Sequence, residues 1–174
     1  MASTEMSFVD SVAGRVLILD FGSQYTQLIA RRVREQHVYC EVHPFDWSMD
    51  KIREFAPRGL ILSGGPETVT EDGAPVPHPE ILDLKIPVLG ICYGMQWLGH
   101  HLGGLVAPSE QREYGRADID VLDTGSLLAG FPQSELHPVW MSHGDHVSEI
   151  APGFAVYGTS PGAPFAITAD LERR

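Results

Sequence analysis

The sequence predicts an α/β protein with an open, mostly parallel sheet and helices on both faces. Two observations carry this prediction. Short apolar runs of strand character alternate with helical patterns in the first part of the chain, and glycine turns join them. Such runs are typical of parallel strands that are covered on both faces. From Gly115 onward strand-like runs follow one another without clear helices between them. We therefore expect a small antiparallel extension in the C-terminal third.

The elements can be predicted in chain order. Residues 1–14 are expected to be a flexible lead-in, and residues 15–174 a single domain. Hydrophobic runs predict strands at 15–20, 38–42, 59–62, before Cys92, and at 117–122, 139–142, 154–159 and 165–169. Helices are predicted after Ser23, a candidate cap, where a period near 3.6 is indicated by Tyr25, Leu28, Ile29, Arg32 and Val33, and at 48–55, about 80–84, and 93–102. Residues 67–79 are rich in Pro, Gly, Asp and Thr and are expected to form a long loop.

Composition excludes several classes of function. The chain has 174 residues and a formal net charge of −11, so nucleic acid is not expected as a partner. No apolar run approaches the roughly 18 residues that a membrane span requires, and the first residues do not resemble a signal peptide. There are two cysteines, Cys40 and Cys92. A disulfide between them is possible, but so low a count fits a reducing cytoplasm better.

The most informative segment is Gly90-Ile91-Cys92-Tyr93-Gly94, between a predicted strand and a predicted helix. This is the layout of a nucleophile elbow, in which glycines on both sides permit a sharp strand-to-helix turn. A cysteine at a helix N-terminus is expected to favour its thiolate form. The alternative is a buried, unreactive cysteine that closes a strand.

Acyl transfer at Cys92 also requires an oxyanion hole and a base. The N–H of Tyr93 is one expected oxyanion donor. The turn Ser63-Gly64-Gly65-Pro66, after the neighbouring predicted strand, can supply the second or can be a plain turn. Gln96, one helical turn after Cys92, is a candidate ligand for an amide substrate or a solvent-exposed helix residue. His143 and His146 have the spacing of metal ligands, but nothing else supports a metal site and none is expected.

Four motifs carry a resemblance to a known family. They are Asp-Phe-Gly-Ser-Gln-Tyr from Asp20, Ser-Gly-Gly-Pro from Ser63, Cys-Tyr-Gly-Met-Gln from Cys92, and Ser-His-Gly-Asp from Ser142. They resemble, in order, the motifs of class I (triad) glutamine amidotransferases, specifically the N-terminal glutaminase domains of GMP synthases. The resemblance implies a flavodoxin-like fold. It also implies that Cys92 attacks the glutamine side-chain amide, forms a thioester and releases ammonia for the amination of XMP to GMP.

The resemblance also assigns roles to individual residues. Gly65 and Tyr93 would form the oxyanion hole with their backbone N–H groups. Substrate binding would fall to four residues, Gln96, Ser142, Gly144 and Asp145. No cofactor is implied for the glutaminase domain, whereas ATP and Mg²⁺ are implied only for a synthetase (ATP-pyrophosphatase) domain. That domain and glutamine are the expected partners, with a homodimer through the region after residue 174 as a further possibility.

One family feature has no counterpart at the expected position. The catalytic His and Glu of the family lie in a His-Pro-Glu motif shortly after the segment that matches residues 165–174. The tripeptide His78-Pro79-Glu80 is in the wrong place and is interpreted as a coincidence. We therefore expect a domain that is incomplete at its C-terminus, impaired in turnover, and left with an exposed edge at 165–169. Three alternatives remain: His143 or His146 as base, a non-catalytic glutamine-binding or regulatory module, and another cysteine-elbow hydrolase.

Overall fold

The computed structural model describes residues 14–125, 127–133 and 135–173, without the side chains of residues 109–114 and His143. The expected lead-in therefore lies, apart from Gly14, outside the described residues. The chain divides into two compact units. The first contains residues 14–66 and 75–94, and the second contains residues 67–74 and 95–173.

The first unit is built on a parallel four-stranded sheet. Its strands are β1 (Arg15–Asp20), β2 (Tyr39–Pro44), β3 (Gly59–Leu62) and β4 (Val88–Gly90), in the order β2-β1-β3-β4. All neighbouring pairs are parallel, as predicted. Strand β1 is flanked on both sides, and Leu17, Ile18 and Leu19 have no exposed surface. This explains why its sequence is a continuous apolar run.

Three α-helices occur in the described part of the chain, and the last of them begins in the first unit and continues in the second. They are α1 (Thr26–Glu35), α2 (Met49–Phe55) and α3 (Tyr93–His101), and the predicted helix near residue 80 is a 3-10 helix, Pro79–Leu84. The period predicted for α1 is confirmed at Ile29 and Val33, which are partly buried against a core cluster, whereas Tyr25 and Leu28 are exposed. Ala30 packs in that cluster with Ile18 of β1 and Cys40 of β2. The small side chain of Ala30 lets α1 approach the sheet closely. A sequence search for large apolar residues does not detect this contact.

The predicted cap of α1 also differs from the structure. Tyr25, not Ser23, occupies the N-cap position. The Ser23 hydroxyl instead accepts a hydrogen bond from the Tyr25 N–H at 3.0 Å, two residues ahead. A short polar side chain that bonds its own backbone two residues on makes a turn rather than a helix cap. Ser48 does occupy the N-cap position of α2, although its side chain forms no capping bond.

The second unit contains an antiparallel four-stranded sheet. Its strands are β5 (Leu105–Val121), β6 (Leu136–Glu149), β7 (Ala155–Ser160) and β8 (Ala163–Ala169), in the order β6-β5-β7-β8. The antiparallel extension is confirmed, but it is not small. The predicted strands at 117–122 and 139–142 are only parts of strands of 17 and 14 residues. The pairing shifts register between Pro108 and Glu113, so the period of two is interrupted there and the strand signal is lost.

A core cluster of Ile119, Val121, Leu128 and Tyr157 supports this second sheet. Strand β8 lies at one edge, as expected for residues 165–169. Across the part of the chain that the structure describes, no helix is long and apolar enough to cross a membrane.

Candidate active site

Cys92 lies in the first unit, between the last residues of β4 and the first residue of α3. Its φ of +48° is in the left-handed region that residues with a side chain rarely adopt. The neighbouring Gly94 allows this turn, because a Cβ there would lie 2.4 Å from the Leu62 carbonyl oxygen of β3. The Gly94 N–H also donates to the Ser63 carbonyl at 3.1 Å. The strand-to-helix elbow predicted from the sequence is therefore present, with strain at the nucleophile position.

The ionisation of Cys92 is opposite to expectation. Burial raises the pKa of the Cys92 thiol above its ordinary value, since little solvent remains to stabilise the charged form. The thiol is thus the favoured form in this structure. The expectation that the helix N-terminus alone yields a thiolate is not met, so the chemistry requires a base that removes the proton.

The turn after β3 runs beside the nucleophile. A Cβ placed on Gly64 would lie 3.4 Å from the Cβ of Cys92, which puts the backbone of this turn in contact distance of the elbow. A Cβ on Gly65 would lie 2.6 Å from the Phe21 carbonyl oxygen, so only glycine fits there. The structure therefore brings the predicted oxyanion turn and Cys92 together within the first unit.

Tyr93, the residue after the nucleophile, is 2% exposed. Its phenol donates to the Pro75 carbonyl oxygen at 2.6 Å, and its ring lies against Phe21 with centroids 5.2 Å apart. The backbone that is expected to supply one oxyanion donor is thus anchored by its own side chain. An aromatic group with a hydrogen-bonding tip is suited to this, because it packs and bonds at once.

The predicted substrate-binding residues lie in the second unit. Gln96 is 7% exposed, and its side-chain Nε2 donates to the Asp145 carbonyl oxygen at 2.9 Å. The alternative of a solvent-exposed helix glutamine is therefore wrong. The carboxylate of Asp145 in turn accepts a hydrogen bond from the Thr68 hydroxyl. Gln96, Asp145 and Thr68 form a connected polar cluster in this unit.

Ser142 and Gly144 lie within β6, opposite β5, where Ser142 pairs with Tyr114. The predicted strand at 139–142 is therefore too short, because β6 continues to Glu149 and contains the whole Ser-His-Gly-Asp segment. The side chain of His143 lies outside the described residues. The Nδ1 of His146 is buried and has no hydrogen-bond partner among the described residues.

The described residues also bear on metal binding and on the state of the two cysteines. Among the residues that the structure describes, no group of three or more potential ligands is placed to hold a metal ion. Both cysteines are free thiols, and Cys40 is buried and donates to the Ala30 carbonyl oxygen. The His78-Pro79-Glu80 tripeptide lies at the surface, where Glu80 pairs with Arg53 at 2.6 Å.

Sequence reasoning missed several supporting residues. Thr68 and Pro75 carry no motif signal for a role at this site, because they belong to a loop whose composition indicates only turns. Asp20 begins one of the four family motifs, but the motif assigns it no hydrogen-bond partner. The available signal for such a partner is position, because Asp20 ends β1 and Ser63 follows the adjacent parallel strand β3, so both lie at the same sheet edge.

Comparisons with known proteins agree with this geometry. The family model for glutamine amidotransferase class-I matches residues 17–170. GMP synthase [glutamine-hydrolyzing] from Ruegeria sp. (strain TM1040) is 58% identical over 162 residues, which cover 91% of this chain and 31% of that protein. The protein of the same name from Neisseria meningitidis serogroup B is 54% identical over 162 residues, 92% of this chain and 31% of that protein. The chain thus spans about a third of the length of these relatives.

Two solved structures have a similar fold. A crystal structure of a protein from Thermoplasma acidophilum gives a TM-score of 0.75 at 24% identity, covering 90% of this chain and 78% of that one. A glutamine amidotransferase from Methylobacillus flagellatus gives a TM-score of 0.66 at 21% identity, covering 91% of this chain and 66% of that one. The elbow, the glycine turn beside it and the match over residues 17–170 lead to one conclusion: the chain belongs to the class I glutamine amidotransferase family.

Proposed function

We propose that this chain is the glutaminase module of a GMP synthase. It hydrolyses the side-chain amide of glutamine through a thioester on Cys92 and supplies ammonia for the amination of XMP to GMP. The observation that carries the proposal is the position of Cys92 at a strained elbow beside a turn that only glycine can form. The relatives named GMP synthase [glutamine-hydrolyzing], at 58% and 54% identity, support the choice of substrate.

The chemistry proceeds in two steps. The Cys92 sulfur attacks the amide carbon of glutamine, the carbonyl oxygen becomes an oxyanion, and the C–N bond breaks to release ammonia. Water then attacks the γ-glutamyl thioester and releases glutamate. The backbone N–H groups of Tyr93 and Gly65 stabilise the oxyanion in both steps. The resemblance assigns the base to the histidine of the family's His-Pro-Glu motif, which takes the thiol proton and passes it to the leaving nitrogen.

Substrate binding falls to Gln96, Ser142, Gly144 and Asp145. Because one N–H of Gln96 Nε2 donates to the Asp145 carbonyl, the second N–H and the carboxamide oxygen of Gln96 remain for the substrate. The carboxamide oxygen is an acceptor, and the ammonium group of an amino-acid substrate is a matching donor. This assignment predicts that Gln96 contributes to substrate affinity rather than to proton transfer.

The synthetase reaction belongs to the remaining length of such a protein. The curated relatives are long enough to contain a further domain, since this chain spans 31% of each. ATP and Mg²⁺ would serve that domain, which consumes the ammonia, and no residue of this chain is assigned to them. A cytoplasmic location suits a free nucleophilic thiol and a nucleotide product.

Covalent labelling tests the proposal. The chain is incubated with a diazoketone analogue of glutamine and analysed by intact mass, with Cys92→Ala as control and free glutamine as competitor. We expect one adduct on the unchanged chain, none on the variant, and slower labelling when glutamine is present. An adduct that persists in Cys92→Ala, or that glutamine does not slow, contradicts the assignment.

Turnover separates the remaining alternatives. Glutamate release is measured for this chain and for a version extended through the His-Pro-Glu motif of the family. We expect slow release by the chain alone and much faster release by the extended version. Saturable glutamine binding without acylation of Cys92 in either version would instead indicate a non-catalytic binding module.

A further inference from the structure

Ser63 forms hydrogen bonds with two backbone segments near Cys92, the elbow itself and the glycine turn beside it. It follows β3 directly and has no exposed surface. Its main-chain carbonyl accepts the N–H of Gly94 at 3.1 Å, which ties the end of β3 to the elbow. Its hydroxyl donates to the Gly64 carbonyl oxygen at 2.8 Å. A single buried serine thus contacts both the elbow and the glycine turn beside it.

The hydroxyl is held by a second strand. The Phe21 N–H donates to the Ser63 Oγ at 3.0 Å, and Phe21 follows β1, the neighbour of β3. Asp20 fixes this segment, because its Oδ1 accepts from the Thr26 hydroxyl at 2.6 Å and from the Gly22 N–H at 3.0 Å. Among the described residues, the Oδ1 of Asp20 is the second acceptor within reach of the Ser63 proton, at 3.4 Å. The shorter bond to Gly64 is therefore the favoured one.

The bond to the Gly64 carbonyl determines where the next N–H points. In a trans peptide the C=O of one residue and the N–H of the next lie in one plane and point in opposite directions. When the Gly64 oxygen is held toward Ser63, the Gly65 N–H is directed away from Ser63. Within the described residues no protein group accepts a hydrogen bond from that N–H. It remains available for a ligand.

We propose that Ser63 is a positioning residue that holds the Gly64–Gly65 peptide in the orientation required for oxyanion stabilisation. The inference rests on the proposed function and deepens it. Without the hydroxyl, the peptide can rotate, since glycines on both sides of the bond impose little conformational restriction. Rotation would present a carbonyl oxygen in place of a donor. Ser63 itself does not touch the substrate, so its effect is confined to reactions that develop an oxyanion.

Two reactions of Cys92 separate this role from a general structural one. The γ-(4-nitrophenyl) ester of glutamate acylates the thiolate through a tetrahedral oxyanion. The S–C bond forms, the C–O bond breaks and 4-nitrophenolate leaves without needing a proton. Iodoacetamide alkylates the same thiolate by displacing iodide, and no oxyanion forms. Both rates are measured at one alkaline pH on the full 174-residue chain.

We expect Ser63→Ala to slow acylation by the ester at least about tenfold, given that loss of an oxyanion donor slows turnover roughly 10²- to 10³-fold. Alkylation should change less than about twofold, because displacement of iodide develops no oxyanion for the donor to stabilise. Ser63→Thr keeps the hydroxyl and should retain the ester reaction. Ser48→Ala, an exposed serine with no capping bond in the same unit, is the matched control and should change neither rate. Equal slowing of both reactions by Ser63→Ala, or slowing of neither, overturns the inference.

Two further controls make every outcome decisive. If Ser63→Ala does not fold, as judged by near-ultraviolet circular dichroism, Ser63→Cys replaces it, because a thiol has a similar volume but is a weak donor. Peptide mapping then confirms that the label is on Cys92. If the unchanged chain reacts with the glutamate ester no faster than Cys92→Ala does, the proposed function itself fails and this inference falls with it. If the unchanged chain reacts with the ester and only Ser63→Ala loses this reaction, the proposed function is not contradicted.

Discussion

At the scale of single residues, Cys92 combines a strained backbone with a partly buried side chain. The left-handed φ holds the sulfur at the turn between strand and helix, where the Gly64 backbone lies beside it. Burial keeps the thiol protonated. A nucleophile in this state reacts only when a base removes its proton. The protonated thiol is less prone to oxidation than a thiolate would be, and its reactivity depends on the base that removes its proton.

The ionisation of Cys92 leads to the first prediction. Because burial raises its pKa, the rate of alkylation by iodoacetamide should rise with pH to a midpoint above the value of about 8.5 for an ordinary cysteine. The sign for stability follows from the same shift. The contribution of the Cys92 thiol to folding stability is fully present below the ordinary cysteine pKa. It is lost as the pH rises through the raised pKa of Cys92 in the folded protein. The Cys92→Ala variant shows how much of the alkylation signal comes from the buried Cys40. A midpoint at or below the ordinary cysteine pKa would contradict the prediction.

Close backbone packing at Gly94 gives a second prediction. Replacing Gly94 with Ala places a Cβ 2.4 Å from the Leu62 carbonyl oxygen, and backbone atoms cannot move aside as a flexible side chain can. We expect a loss of about 3 kcal/mol in the free energy of unfolding, measured with urea. Gly59→Ala is the matched control, because its new Cβ would meet atoms only at 3.8 Å and beyond. Similar losses of unfolding free energy in Gly94→Ala and Gly59→Ala would show that the clash with the Leu62 carbonyl oxygen is relieved at little energetic cost.

At the scale of elements, two glycines predicted from the sequence to end α3 form its C-terminal cap. Gly103 adopts a φ of +97°, and its N–H donates to the His100 carbonyl. The Gly104 N–H donates to the Gly99 carbonyl at 2.8 Å. This pair of bonds is the Schellman pattern, which satisfies the last carbonyls of a helix. The two glycines therefore end the helix where the sequence predicted.

A pair of substitutions in this helix should have opposite effects. Gly103→Ala should lower the free energy of unfolding by about 1 kcal/mol, because Ala is disfavoured in the left-handed region although its Cβ would meet Pro152 Cδ at an ordinary 3.6 Å. Gly99→Ala lies inside the helix with ordinary contacts at 3.6 Å and should raise it by about 0.5–1 kcal/mol. Thermal and urea unfolding measure both. Equal signs would contradict the assigned helix end.

The elements also differ in how far the sequence determined them. Strands β1 and β3 were predicted with their observed bounds, because an apolar run bounded by turn residues has one simple interpretation. Strands β5 and β6 were predicted only in part, since polar residues and a register shift interrupt their pattern. Long antiparallel partners stabilise each other through cross-strand pairs, and such partners are distant in sequence.

At the scale of the whole molecule, the surface is acidic but carries exposed apolar residues on the second sheet. The formal charge of −11 disfavours binding to nucleic acid. On the edge strand β6, Leu136 and Trp140 are 62% and 71% exposed. Large aromatic groups at the surface contribute little to folding stability, whereas the same groups in the interior contribute much.

Two tryptophans test this contrast. Trp140→Ala should change the free energy of unfolding by less than about 1 kcal/mol. Trp97→Ala should lower it by about 3–5 kcal/mol, because Trp97 is 4% exposed and its removal leaves a cavity. Urea unfolding followed by circular dichroism avoids dependence on the tryptophan signal. Comparable losses would mean that Trp140 is covered in solution, for example by a second copy of the chain.

The candidate site divides in the same way as the fold. The candidate nucleophile, the candidate oxyanion turn and the candidate substrate-binding residues could each be singled out in the sequence, because each lies in a short motif with its own chemistry, and their roles stay predictions. The roles of Ser63 and Thr68 were not predicted, because they depend on hydrogen bonds across 42 and 77 positions of the chain. Nor was the raised pKa of Cys92, which depends on how much protein surrounds the sulfur.

The sequence by itself determined which backbone turns are possible and which reactive group they carry. Glycine spacing, apolar runs and the cysteine between two glycines are local properties, and local sterics translate them directly into an elbow. Only the tertiary structure decided the ionisation of Cys92, the anchoring of Tyr93 on Pro75 and the bond from Ser63 to Gly64. Desolvation and the direction of a hydrogen bond arise from groups that meet only when the chain has folded.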